Sequence, residues 1–311
     1  MIRLSIWCVI FSHLLLSCTS TNSAKKDKEP LNIIWTKDVP AKHEIINGSA
    51  ITYEDMIYVF SGKEGRLMKY NPVNYTWLDL AGMPGPRKEP GVTLWQDKIV
   101  VAGGIDDSSN FMRRVDYYDL KLNVWKEMTS LPDPRCRLTL SVLGGQLISS
   151  SGVCGTNERT YGDCLDILIY NDTSKIWKTQ GMLKKGRFGH ASVSDGNKMY
   201  AIGGYGFEKG TGTFYMDYKM KEVGFKKEIP VPRGNFGAVL IGDYILTYGG
   251  KVQSADSPME KYNIVNDTWE SLGNCPFWTD RFAYTRWRDR IYLFGGAQNP
   301  MSVWKGDIVF K

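Results

Sequence analysis

Outside its first sixteen residues the chain lacks long hydrophobic runs. No internal segment approaches the roughly 18–20 apolar residues that a membrane-spanning helix needs, so the body of the protein is expected to be soluble. Charge of one sign is also scarce. Against 39 basic residues stand 33 acidic ones, a formal +6, and no block of five or more like charges occurs. That excludes the basic footprint of a nucleic-acid binder. Histidines number three, and no Cys-x-x-Cys or Cys/His cluster has metal-ligand spacing; neither a metal nor a cofactor is expected. What is present in quantity is Gly (32), Tyr (17) and Trp (10). Glycine with aromatics and without long apolar runs predicts short strands joined by turns.

The first residues differ from the rest. Arg3 precedes an apolar run from Leu4 to Leu16 that ends in Leu15-Leu16-Ser17-Cys18. A positive residue, an apolar stretch of about a dozen residues and a small-residue end describe an export signal, too short to span a membrane stably. Leu-Leu-Ser-Cys resembles the bacterial lipobox, which implies residues 1–17 as a lipoprotein-type signal and Cys18 as the lipidated residue. Residues 18–30 are polar and read as a flexible tether. The expected location is then export with lipid anchorage in a bacterial outer membrane, the lipid being the only membrane contact. The alternative is secretion, for which the sequons at Asn47, Asn74, Asn171 and Asn266 would be suited.

Residues 31–311 carry a repeat. A doublet with Gly in second place follows an apolar run six times: Ser61-Gly62, Gly103-Gly104, Ser151-Gly152, Gly203-Gly204, Gly249-Gly250 and Gly295-Gly296. After each of the first five comes a Tyr with an aromatic seven residues later: Tyr70/Trp77, Tyr118/Trp125, Tyr170/Trp177, Tyr218/Phe225 and Tyr262/Trp269. Each unit reads as four strands, a to d, with glycine ending strand b where neighbouring backbone approaches closely. The Tyr falls on strand c and the Trp on strand d, where flat side chains fill the space between units. These marks resemble the kelch repeat, and the fold class predicted is all-β, a six-bladed kelch β-propeller. The sixth unit has a strand c but no following Tyr…Trp pair, whereas Ile33-Ile34-Trp35 before Val39-Pro40 looks like a strand d. The N-terminal strand is therefore expected to close the last blade and remove an exposed edge.

Candidate site residues follow from the repeat. The b–c and d–a loops emerge on one face, which kelch proteins mostly use for binding. An arginine lies seventeen residues before the second glycine in four units, at Arg87, Arg135, Arg187 and Arg233; in the sixth, Arg281 lies fifteen before it. Such a position would ring the channel mouth, and guanidinium groups trap carboxylates through paired donors. The competing reading is structural, with each Arg tying the ring together through carbonyls or an acid of the next blade. Tyr205 in a b–c loop, with Phe277 and Trp278 in the last d–a loop, would add aromatic surface for an acidic sugar or protein partner.

Cys154 and Cys164 bracket one loop, so a disulfide there is possible in an exported protein; Cys136 and Cys275 read as small buried residues. His190, near the channel, could serve as a general base or as a structural residue. The chain is also distantly similar to the N-acetylneuraminate epimerase family, exported kelch propellers with a catalytic Glu directly after one blade glycine. Here Lys63, Ile105, Val153, Tyr205, Lys251 and Ala297 follow the six doublets, while Glu64 and Asp106 come one residue late. The leading expectation is a non-enzymatic binding module for an acidic glycan or protein partner. The alternative is an epimerase or mutarotase acting on an acidic sugar, with His190, Glu64 and Asp106 as catalytic candidates.

Overall fold

The computed structural model describes residues 28–157, 159–183, 185–206, 212–218, 222–252 and 257–311. The signal, Cys18 and most of the tether lie outside them. Among the described residues there is no helix, and six four-stranded antiparallel sheets form the framework.

Each sheet is one blade of consecutive strands a to d. Blade 1 comprises Ser49–Tyr53, Met56–Ser61, Arg66–Asn71 and Thr76–Asp79; blade 2 comprises Gly91–Trp95, Lys98–Ala102, Val115–Asp119 and Val124–Met128. Blade 3 comprises Thr139–Leu143, Gln146–Ser150, Asp166–Asn171 and Ile176–Met182; blade 4 comprises Ala191–Ser194, Lys198–Ile202, Thr213–Asp217 and Glu222–Lys226. Blade 5 comprises Gly237–Ile241, Tyr244–Tyr248, Pro258–Asn263 and Thr268–Asn274. The a–b hairpins turn on two residues. In blade 3 these are Gly144 and Gly145, both at positive φ, which matches the right-handed twist of the flanking strands. Strand b is the most apolar: residues 99–102 of blade 2 and 291–294 of blade 6 are buried throughout, because both faces of that strand are covered by neighbouring blades.

Blade 6 joins the two ends of the chain. Ala283–Trp287, Arg290–Phe294 and Val303–Phe310 supply strands a to c, and Pro30–Lys37 pairs antiparallel with Val303–Phe310 as strand d. Ile33 is buried, and the Trp35 ring packs edge-on against Tyr248 and Phe277, at 5.4 and 5.0 Å between centroids. Glu29, which the sequence places in the tether, accepts a 2.8 Å bond from Lys261, and Pro30 already belongs to the strand.

The Tyr and Trp of a unit face each other across strands c and d in blades 1, 2, 3 and 5. The indole does more than fill space. Trp125 Nε1 donates to Ala81 O, Trp177 Nε1 to Thr129 O and Trp269 Nε1 to Lys227 O, each in the preceding blade. Blade 4 departs from the expected spacing. Tyr218 and Phe225 do not pair, since the hairpin there is centred two residues earlier; Met216 and Val223 hold the Tyr and Trp positions.

The second motif explains itself at the blade boundaries. The amide of each second glycine donates to a carbonyl of the next blade: Gly104 to Arg135, Gly152 to Arg187, Gly204 to Arg233, Gly250 to Thr279 and Gly296 to Ile45, at 2.8–3.1 Å. At the first boundary the direction reverses, with Arg87 N donating to Gly62 O at 3.0 Å. Two of the first glycines sit too close for a side chain, although Ser61 and Ser151 hold the same position in blades 1 and 3. A Cβ at Gly103 would stand 2.3 Å from Arg135 O and one at Gly295 2.1 Å from Ile45 O, both at positive φ.

Closure by the N-terminal strand makes a testable prediction. Ile33→Ala should lower unfolding free energy by about 3 kcal/mol in urea titrations. Ile34→Ala, on the outward face of the same strand and 55% exposed, should change it by less than about 0.5 kcal/mol. Equal effects would mean that this strand does not complete the ring.

Candidate functional site

The four arginines seventeen residues before the second glycines do not present guanidinium groups to the channel mouth. Arg87, Arg135, Arg187 and Arg233 are all buried. Arg87 pairs with Asp116, Arg135 with both oxygens of Asp166 at 2.9 and 3.0 Å, and Arg233 with Glu260 at 2.5 Å. Each acid lies on strand c of the arginine's own blade rather than the next one. Arg187 reaches the carbonyls of Gly203 and Gly212 and lies over the Phe214 ring, 4.8 Å from its centroid; burial pushes its pKa down to about 10. These side chains span strands a to c inside a blade, so the structural reading describes them. A buried guanidinium without such partners would carry a large desolvation cost.

Two residues further on, the chain builds the mouth itself. Asn47, Glu89, Arg137, Gly189, Asn235 and Arg281 each lie fifteen residues before a second glycine, and all six have φ between 52° and 61°. This left-handed turn directs position fifteen into the channel while position seventeen points into the blade. Arg137 N donates to Glu89 O, Asn235 N to Gly189 O and Asn47 N to Arg281 O, so the six form a collar of three bonded pairs. Arg281 is thus not a displaced member of the arginine series but a collar residue. The fixed offset was the signal that would have found the other five.

Above the collar lies a cavity of about 290 Å³ lined by Arg137, Arg281, Lys251, Glu89, Asp280, Phe188, Tyr205 and Asn235. Three cationic groups there face two acids. Arg137 Nε is held by Glu89 at 2.6 Å and lies over Phe188, whereas Arg281 is 43% exposed and touches Asp280 only at 3.5 Å. Tyr205 follows a glycine doublet; its ring lies 5.8 Å from Phe188 and its hydroxyl donates to Lys251 O at 3.3 Å. Burial raises its pKa, so it is a neutral donor. The surface therefore offers exposed cations beside aromatic faces, which suits a carboxylate on an apolar body.

A second cavity of about 170 Å³ is lined by the collar residues together with His190. Its Nε2 bonds Thr139 Oγ1, while Nδ1 is shielded from solvent and without a partner. Burial, assisted by the Arg187 charge, pushes its pKa down to about 3. The imidazole is neutral near neutral pH.

The other catalytic candidates are not brought to it. Glu64 is bonded to Arg66 at 2.6 Å in the blade 1 b–c turn, and Asp106 accepts the Asn110 amide at 2.8 Å inside its own loop. Neither lines the two channel cavities. Trp278 is 47% exposed and lies outside them too; Phe277, expected at the surface, packs between Trp35 and Trp304. Cys154 and Cys164 are disulfide-bonded, with Cα atoms 5.2 Å apart. The bond pins a hairpin of Val153–Asn157 and Thr160–Asp163 that pairs with Arg135–Cys136 to form a small sheet beside the mouth. Cys136 and Cys275 stand outside this disulfide and are buried. Glu158, Phe207 and Glu208, polar and aromatic members of the binding loops, lie outside the described residues.

A six-bladed ring whose polar mouth is built from repeated loops defines a β-propeller. A family model described as the KLHDC2/KLHL20/DRC7 Kelch-repeats domain matches residues 17–204, more than half of the chain. The protein belongs to this kelch-repeat family. Kelch-like protein 40 of Xenopus tropicalis is 29% identical over 165 residues, covering 50% of this chain and 26% of that protein. Alpha-scruin of Limulus polyphemus is 23% identical over 287 residues, covering 80% and 31% respectively. The chain thus spans about a quarter to a third of the length of these relatives. A solved structure titled "Structure of YjhT" superposes with a TM-score of 0.74 at 16% identity, covering 88% of this chain and 96% of that one. That likeness is one of fold.

The depressed pKa of the channel imidazole predicts an acid sensitivity. Unfolded, His190 takes up a proton below its ordinary pKa of 6.5; folded, it does so only near 3. Protons therefore favour the unfolded chain across that window, and this contribution to stability is lost as pH falls. Its slope is at most about 1.4 kcal/mol per pH unit. Urea titrations between pH 7 and 4.5 should show His190→Gln losing less stability than the parent; parallel curves would contradict the assignment.

Proposed function

We propose that this protein is an exported, lipid-anchored binding module whose collar and surrounding loops hold a carboxylate-bearing ligand, either an acidic glycan or an acidic segment of a partner protein. The observation that carries this reading is the pairing of exposed Arg281 and Lys251 with the Phe188 and Tyr205 rings around one 290 Å³ cavity. Cations on a rigid scaffold gain charge-assisted hydrogen bonds of about 1.5–3 kcal/mol each when a carboxylate arrives. Epimerase chemistry needs a proton donor and acceptor within reach of one carbon. His190 is neutral and committed to Thr139, and Glu64 and Asp106 are engaged elsewhere, so binding is the better-supported reading.

Calorimetric titration of the protein with an N-acetylneuraminate-terminated glycan and with a Glu-rich peptide tests it. One of the two should bind, more tightly at low salt. Arg281→Asn, chosen because asparagine tolerates the left-handed backbone at this position, should weaken binding about tenfold. Failure of both ligands, or an unchanged affinity in this variant, would contradict the proposal.

Anchorage rests on Leu15-Leu16-Ser17-Cys18. In a bacterial host, the protein should incorporate labelled palmitate and fractionate with the outer membrane. Cys18→Ala should lose the label. An unlabelled, freely secreted parent protein would replace anchorage with secretion.

A further inference from the structure

The Trp position of strand d is filled by Trp77, Trp125, Trp177, Trp269 and, in blade 6, Trp35; blade 4 alone has Val223 there. Its cross-strand partner is Met216 where blades 1, 2, 3 and 5 have Tyr. Both losses fall at one boundary, and a groove of about 720 Å³ opens there between blades 3 and 4. Leu143, Ile148 and Ile167 form one wall, and Met216, Tyr218 and Val223 the other.

We propose that this groove is a docking slot for a tryptophan side chain carried by a partner protein. The ring itself shows what such a slot holds. In blades 2, 3 and 5 the indole lies between blades and its N–H bonds a carbonyl four residues past the Trp position of the preceding blade, whereas Trp35 Nε1 donates to Met259 Sδ and Trp77 Nε1 is buried without a partner. Ala81 follows Trp77 in this way, Thr129 follows Trp125 and Lys227 follows Val223. In blade 3 the equivalent residue, four past Trp177, is Gly181, and it lines the groove. An incoming indole finds apolar walls and an acceptor position matching those used elsewhere in the ring.

The rims point the same way. Met182 is 62% exposed and Phe225 59% exposed. Met182 stands where other blades have Pro40, Gly82, Ser130, Glu228 and Asn274; Phe225 stands where they have Lys37, Asp79, Glu127, Thr179 and Ser271. Phe225 is two residues from Val223 and so shares its strand face. These solvent-exposed apolar residues, at positions otherwise polar, glycine or proline, extend the slot into a patch fitted to apolar residues flanking the tryptophan. This site is separate from the channel mouth.

The probe is 5-fluoroindole, observed by ¹⁹F NMR in the presence of the protein. Saturable broadening with a dissociation constant on the order of 1 mM is expected for a ligand of this size. Val223→Trp supplies the missing wedge from within, so it should abolish that binding and raise the melting temperature. Gly181→Leu is a second block that does not depend on the first variant folding: a Cβ there meets only Ile167 Cδ1 at 3.9 Å. A short peptide with one tryptophan should displace the probe, and its Trp→Ser version should not. The proposal is overturned by absent saturation, by binding that survives both variants, or by a peptide that fails to compete. It is equally overturned by a dimer in sedimentation that Val223→Trp disperses, which would make the occupant a second copy of this chain.

Discussion

Everything in this molecule depends on one main-chain contact made at every blade boundary, between the second glycine of one blade and the residue seventeen places before the next. Singly such a bond contributes about 1 kcal/mol net. Its larger effect is geometric, because it fixes how closely adjacent strands approach at the channel. At that distance a Cβ on the second glycine would stand only 2.0–2.8 Å from a neighbouring atom at all six boundaries. The second glycine is therefore a steric requirement of the ring, whereas the first position admits Ser61 and Ser151.

The same contact governs the arginines. A residue whose main chain is committed to the neighbouring blade has its side chain directed back into its own, where strand c supplies Asp116, Asp166 or Glu260. The left-handed turn then sends the side chain two residues on toward the axis. Structural and ligand-facing roles are divided between positions only two apart. That division lets the collar vary freely, from Asn47 to Glu89 to Arg281, while the bonds that hold the ring stay constant.

Toward the outer rim the blades are held differently. Trp35, Trp125, Trp177 and Trp269 on strand d pack an aromatic ring and hydrogen-bond the preceding blade, coupling packing with polar satisfaction. Blade 4 omits this device and still pairs its four strands in register. Inter-blade adhesion near the axis is thus sufficient for the fold, and the rim is available to carry other chemistry.

Blade number, strand order and closure by residues near Trp35 were legible in the chain because they rest on short-range patterns: a glycine doublet after an apolar run, an aromatic pair across a tight hairpin. The same patterns misplaced Tyr218 and Phe225, since spacing along the chain is blind to where a hairpin is centred; the pairing Met216 to Val223 is settled across strands. Likewise, the arginines were visible as a series, but their direction was not. A residue's offset from a glycine says nothing of which way a left-handed turn points its side chain. The sequence by itself determined that this protein is a closed ring of six repeated blades, because each blade carries its own local instructions. Only the tertiary structure decided that Arg281, rather than Arg87 or Arg233, faces the channel mouth and that one rim boundary stands open, because both follow from how neighbouring blades meet.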